Sequence, residues 1–359
     1  MIPQARPTSM EDGQGSTGLG HALRAATVRA VVRTGALRTI VSAGDSWRIG
    51  RLGLLPWPRR RESGRPFQVL CYHRVNDEGS IVFPGVSTKL FEAQMKILVS
   101  NWNVLPLQSL VRLARERAIP PRAAAITFDD GYRDNYEHAF PVLRSLGLPA
   151  TIFLATDPLE NGGSLWHDRV FDAFERAAAP IEFEGASLPI ASADARRLAV
   201  LTVLNQLRLL APAERDRRID AIVSQVAAVA SPRRRMLNWD EVRIMRDGGI
   251  EFGAHTVSHP VLSRISHGEA VAEIRSSKET IEARLGVPVP LFAYPNGRRD
   301  DYTPALVEAL PELGFTGALT TEWGLNDHRT PPFELHRVGA WDASPAVSFA
   351  RLGWHRLAG

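Results

Sequence analysis

One cysteine, Cys71, is all that 359 residues contain, so no disulfide can close within the chain and oxidative stapling is excluded as a source of its stability. Flanked by Val69, Leu70 and Tyr72, that thiol reads as a buried strand residue rather than a reactive one. Long apolar runs are missing too. No stretch reaches the ~18 to 20 residues that a membrane span needs, and the opening Met1-Ile2-Pro3-Gln4 lacks the basic segment followed by an apolar one that marks a secretory signal. A cytoplasmic or membrane-peripheral location is the expectation. Lysine is absent from residues 1–66, yet eleven arginines stand there against four acids, a net of +7 in a chain whose total is +4, which leaves the remainder at −3. The basic excess belongs to an N-terminal arm, and no nucleic-acid partner is expected.

What is present is an ordinary globular composition, 44% apolar and 23% charged. The length suits one large α/β domain with additions, or two modest ones. Residues 1–19 hold little to bury and are expected to be disordered. From Leu19 to Val41, the residues Leu23, Ala26, Ala30, Val31, Leu37 and Ile40 recur at helical spacing, punctuated by Arg24, Arg29, Arg33 and Arg38. That pattern predicts a basic amphipathic helix, weakened by Gly35. Such a helix either makes peripheral contact with an anionic membrane surface or packs on the outside of the domain. Pro56-Trp57-Pro58-Arg59-Arg60-Arg61 reads as the linker that closes this region, 1–66. A C-terminal tail is expected over 346–359.

Between 67 and 345, strand and helix patterns alternate. Strands are predicted at Phe67–Tyr72, Val104–Leu105, Ala123–Phe128, Ala150–Ala155, Ile250–Ala254, Leu291–Tyr294, Phe315–Leu319 and Leu335–Val338. Helices are predicted over Thr88–Ser100, Leu107–Ala118, Asn135–Leu146, His267–Leu285 and Thr303–Leu313. Asn238 caps a further helix from Trp239, and Gly286 stops the long one. Alternation of this kind favours an α/β sheet or barrel of mostly parallel strands. Over 156–237 it stops. Trp166–Ala178, Ala193–Leu210 and Ala213–Val229 read as helices around a β-like piece at Ile181–Ile190, a mostly helical insertion over the sheet.

Parallel α/β folds carry their chemistry at the C-terminal ends of strands, and the unusual polar residues fall there. Thr127-Phe128-Asp129-Asp130-Gly131-Tyr132 follows the apolar run Ala123 to Ile126. Two adjacent carboxylates at the mouth of a buried strand cannot both be cheaply buried and ionised, so one of them needs a metal or a catalytic task. His255-Thr256-Val257-Ser258-His259 follows a second strand, and Tyr294 to Gly297 follows a third. The histidine spacing also matches the helical His-Glu-x-x-His of zinc peptidases, but Thr256 stands where that motif needs its glutamate, so the peptidase reading is poor. Adding an aspartate gives a two-histidine, one-carboxylate set that leaves metal positions open, the pattern of a catalytic site. Asp130 could be the third ligand, which frees Asp129 to take a proton from bound water.

These segments, together with Phe292-Ala293-Tyr294-Pro295-Asn296-Gly297, resemble the first three motifs of the polysaccharide deacetylases, the NodB-homology or carbohydrate esterase family 4 group. The resemblance runs from about residue 67 to 345 and omits the insertion and the arm. It implies a deformed (β/α) barrel of the NodB-homology type, carrying here a helical insertion and an N-terminal helical arm. The implied activity is metal-dependent removal of N-acetyl groups from a carbohydrate of the N-acetylglucosamine type, with release of acetate. Matched residue by residue, the resemblance makes Asp129 the general base and Asp130, His255 and His259 the ligands of a divalent metal, zinc being the expected ion. Tyr294, Pro295 and Asn296 would line the acceptor groove, with the N–H of Asn296 holding the oxyanion.

Ala293 departs from the family's common pattern, which has an arginine there, and Arg337 is the candidate to steady the base in its place. Two residues compete for the general acid. Leu335-His336 fits the common late-strand pattern. Tyr72-His73-Arg74-Val75 resembles a branch, including deacetylases of biofilm poly-N-acetylglucosamine, in which an N-terminal strand takes the late strand's position. His73 is the favoured one. Trp166, His167 and Asp168 offer surfaces for a sugar groove. An amidohydrolase on a small non-polymeric amide or imide, using the same site, is the alternative reading.

Overall fold

The computed structural model describes residues 65–227 and 234–339. The predicted amphipathic arm, the linker and the tail at 346–359 lie outside the described residues.

β1 (Phe67–Tyr72) and β3 (Ala123–Phe128) are buried at every position. A parallel strand covered on both faces has no polar side to show, which is why both read as unbroken apolar runs. They pair in parallel from Phe67↔Ala123 to Tyr72↔Phe128. On its other edge β1 meets β10 (Leu335–Gly339) through Leu70↔Val338. From there the pairing passes to β9 (Gly317–Trp323), β8 (Leu291–Ala293), β7 (Ile250–Ala254), β4 (Ala150–Leu154) and back to β3, always in parallel. The ring closes as a seven-stranded barrel, with the first strand in sequence standing between the last strand and β3.

The barrel is deformed. The two-residue β2 (Asn103–Val104) takes the first part of the β3 edge, and β4 takes it only from Thr127 onward. β8 touches β7 in register only at Ala254↔Phe292.

Phe67 and Val69, Ala123 and Ala125, Phe153, Leu291 and Ala293, Leu319 and Leu335 come from strands all round the ring and form one buried cluster, so these alternating positions fill the interior. Leu107, Leu110 and Val111 of α2 (Leu107–Arg115), which follows α1 (Thr88–Asn101), close its N-terminal end. Continuing the same alternation, Cys71 and His73, Thr127 and Asp129, His255, and Arg337 are the next inward positions at the opposite, C-terminal mouth.

α3 (Phe140–Ser145) follows, and the insertion then adds α4 (Asp157–Asn161), α5 (Trp166–Arg176), the hairpin of β5 (Ile181–Phe183) and β6 (Ala186–Leu188), α6 (Ala193–Leu207) and α7 (Pro212–Val223). It buries a core of its own, including Val170, Phe174, Val200, Val203, Leu207, Ile219 and Ile222. α8 (Trp239–Asp247) is capped by Asn238 and Glu241 in a reciprocal box, as the sequence predicts. α9 (His267–Leu285) ends on Gly286 at φ +67, a conformation that costs glycine little. α10 (Pro304–Glu312) precedes β9.

Two boundaries differ from expectation for identifiable reasons. The helix predicted from Asn135 opens instead as a wide turn over Asn135–Ala139, with Phe140 N–H donating to Asn135 O. Pro141 has no N–H to give the carbonyl four residues back, which favours the wider turn. β9 starts at Gly317 rather than Phe315, because Phe315 N–H is used on Leu310 O to close α10. No helix among the described residues is long and apolar enough to cross a membrane.

Candidate active site and metal centre

Asp129 and Asp130 leave β3 where the chain must turn sharply. Asp130 has φ +76 and Gly131 φ +84; a Cβ on Gly131 would meet Leu154 Cδ2 at 2.8 Å. The turn sends the two buried carboxylates in different directions. Asp129 N–H still donates to Tyr72 O at 3.0 Å, extending the β1–β3 ladder, and its side chain stays on the inward side. Its Oδ1 accepts from Arg337 Nη1 at 2.7 Å, and Arg337 Nε is fixed by Thr320 O at 2.7 Å. Its Oδ2 lies 3.8 Å from Cys71 Sγ and 3.9 Å from His73 Nε2. Burial pushes the Asp129 carboxyl up, but the Arg337 guanidinium and the neighbouring His255 outweigh it and hold the group below its usual range. Burial pushes the Cys71 thiol far up, so it is a protonated donor and not a nucleophile.

Asp130 faces the histidines. His255 Nε2 lies 3.4 Å and His259 Nε2 3.3 Å from Asp130 Oδ1. His255 Nδ1 sits 2.7 Å from Ala293 O; a ring that donates there keeps a lone pair on Nε2. The motif is not helical. Thr256 and His259 both have positive φ, +68 and +56. His259 N–H donates to Thr256 Oγ1 at 3.1 Å, and Glu273 of α9 accepts from Val257 N and Ser258 N at 2.8 and 2.9 Å. Trp166 Nε1 from the insertion donates to His259 O at 3.0 Å. Among the described residues Asp130 Oδ1 is buried without a hydrogen-bond partner, although two imidazole nitrogens stand beside it. Three lone-pair atoms facing one another in this way fit a cation. Tetrahedral bonds of the zinc kind would set donor separations near ~3.3 Å.

Of the other expected residues, His73 is brought to the cluster and His336 is not. His336 neighbours inward-facing Arg337 on β10 and so points to the other face, where its backbone is tied to Asn326 at 2.8 Å in both directions and its ring lies against Gly324. Tyr294 is a correction to the groove expectation. It is wholly buried, stacked on Tyr302 at 4.0 Å and donating to Phe333 O at 3.1 Å, so it is core. Pro295 is buried as well. Asn296, half-buried at φ +60, is the part of the loop that reaches the surface, and Gly297 is needed behind it because a Cβ there would meet Thr321 N at 2.9 Å.

His167 comes closer to the metal cluster than a groove residue would, its Nε2 4.0 Å from Asp130 Oδ2 and its ring centroid 5.0 Å from that of His259. Burial and the neighbouring His259 push it down to about 3. No spacing rule links residue 167 to the motifs; only the fold does.

Residues 116–318, more than half of the chain, match the profile of the polysaccharide deacetylase family. A Bacillus subtilis (strain 168) protein named for that family, YxkH, is 23% identical over 296 residues, spanning 82% of this chain and 77% of its own. The poly-beta-1,6-N-acetyl-D-glucosamine N-deacetylase of Escherichia coli K12 is 31% identical over 98 residues, 26% of this chain and 14% of that protein. Among solved structures, the Streptococcus pyogenes deacetylase PplD, in complex with acetate, superposes with TM-score 0.57 at 18% identity, over 80% of this chain and 98% of its own. IcaB from Ammonifex degensii gives 0.52 at 21% identity, over 81% and 98%.

Proposed function

Because the chain belongs to the polysaccharide deacetylase family, hydrolases of amide bonds in polysaccharides, we propose that its barrel mouth removes N-acetyl groups from an N-acetylglucosamine-type polymer or oligomer, releasing acetate. One observation carries the reading: Asp130, His255 and His259 converge on one point while Asp129, one residue away, is turned aside and braced by Arg337. When bound by those three ligands, a divalent metal, zinc being the ion best matched to two imidazoles and a carboxylate, supplies Lewis-acid polarisation of the amide carbonyl and a lowered pKa for water.

The remaining work falls to the chain. Asp129, kept ionised by the Arg337 cation, takes a proton from the attacking water. His73, on the same side of the mouth, hands a proton to the departing amine nitrogen, so that water and amide become acetate and free amine. The N–H of Asn296 is the candidate donor to the oxyanion between these steps. The sugar assignment draws its support from the names of the relatives.

Acetate release from a panel of N-acetylated oligosaccharides, with and without chelator, tests the reading. Release by the wild type that chelator abolishes and Asp129→Asn lowers by roughly 10² to 10⁴ is the expected result; cleavage of small amides with none of the oligosaccharides would overturn the substrate class. His73→Ala is expected to lower kcat by roughly 10² to 10⁴, the range for a general acid, while His336→Ala stays close to wild type.

A further inference from the structure

The insertion is locked to the site at both of its ends. Trp166 holds the His259 carbonyl at 3.0 Å, and on the return Leu237 N–H donates to Gly131 O at 2.9 Å. Between these ties runs a line of polar groups that the hydrolytic reading leaves unused. Asp168, wholly buried, accepts from the Tyr132 hydroxyl at 2.9 Å and from Leu165 N at 3.3 Å, with Arg235 Nη1 at 3.7 Å. The same hydroxyl lies 3.1 Å from His167 Nε2. A phenol has one proton. Given to Asp168 in its ionised form, it leaves the oxygen to accept, and His167 then carries its hydrogen on Nε2. That nitrogen is the one 4.0 Å from Asp130 Oδ2.

We propose that Asp168, Tyr132 and His167 form a positioning chain for the metal ligands, in which the Tyr132 hydroxyl takes the Nε2–H of His167 and so holds that ring against Asp130 Oδ2 and the His259 ring, leaving Oδ1 turned to the two imidazoles. The inference rests on reading Asp130, His255 and His259 as metal ligands. Tyr132 and Asp168 are wholly buried, so neither can trade its partner for water, and a buried carboxylate placed this near another is costly unless its hydrogen bonds are used. His167 also packs edge-on to His259 at 73°, so displacing its ring disturbs a second ligand. The chain therefore couples the insertion to the metal site and gives the insertion a task beyond covering the barrel.

Zinc dissociation constants from chelator competition, with the visible spectrum of the cobalt-loaded protein as a second readout, test this directly. His167→Ala and Tyr132→Phe should each weaken zinc binding by about 10- to 100-fold, the usual effect of losing a ligand's outer partner. Both should alter the cobalt spectrum, and the double variant should bind no more weakly than the worse single, because the two act in one line. His167→Gln, which returns an N–H to that position, should recover part of the loss. Singles that bind zinc as the wild type does, or effects that multiply in the double, would overturn the chain. If Tyr132→Phe unfolds the protein, the comparison of His167→Ala with His167→Gln decides alone: no recovery counts against the proposal. A wild type that takes up no divalent metal strikes the ligand assignment instead.

Discussion

Two groups of three ligand-type residues lie side by side at the barrel mouth, Cys71 with His73 and Asp129, and Asp130 with His255 and His259. By donor type either could hold a cation, yet their electrostatics are opposite. Asp129 already has a buried guanidinium at 2.7 Å, and a further positive charge about 4 Å from it would meet repulsion of roughly 4 kcal/mol per unit charge at an intermediate dielectric. Among the described residues Asp130 has no cationic side chain of that kind, only imidazoles whose Nε2 atoms face the same oxygen. The lesson is that donor identity does not define a metal site; the charge already stationed beside the donors does. On the proposed reading, one adjacent pair of aspartates is thereby divided into a base and a ligand.

The largest effect should come from exchanging one aspartate at a time. Asp130→Asn is expected to remove zinc binding and reduce turnover by three orders of magnitude or more, on the order of what catalytic metals supply. Asp129→Asn should cost roughly 10² to 10⁴ in kcat while still taking one equivalent of zinc in a titration. Two equivalents in the wild type, or loss of zinc from Asp129→Asn, would break the division between the clusters.

A smaller effect is expected for Arg337→Met. It leaves Asp129 buried without its counterion, which should lower unfolding stability by about 3 to 5 kcal/mol in denaturant titrations. The direction of the pH effect follows from the cause: the guanidinium holds the carboxyl down, so its removal raises the carboxyl and moves the acid limb of kcat/KM to higher pH. An acid limb that stays in place would show that Arg337 is only a structural ion.

Much of this arrangement can be read from sequence, and the limits are instructive. β1, β3 and β7 are legible because doubly buried parallel strands are apolar runs, and the Asp-Asp and His-x-x-x-His segments are legible because their side chains have few structural excuses. The choice between His73 and His336 needs strand phase: only once Arg337 is known to face inward does His336 fall on the outer face. From the sequence Tyr294 reads as part of a groove because of its motif, but its ring is spent on Tyr302. His167 and Asp168 read from the sequence only as candidate groove residues beside a tryptophan. Their link to Asp130 is made through Tyr132 by a chain that leaves the barrel and returns more than thirty residues later, a tertiary contact that no local period announces.

The smallest predicted effect concerns Cys71, which tests how far the first cluster depends on its weakest member. Its thiol approaches Asp129 Oδ2 at 3.8 Å, a long contact from a poor donor, whereas Arg337 grips the other oxygen at 2.7 Å. Cys71→Ala should therefore change kcat by no more than a few-fold, leave zinc affinity unchanged and cost about 1 kcal/mol in stability, the scale of one modest hydrogen bond. In the native wild type the buried, protonated thiol should resist alkylation until the protein is unfolded. A drop as large as that of Asp129→Asn would mean that the sulfur, and not the guanidinium, sets the position of the base; the cluster would then have to be redrawn around Cys71.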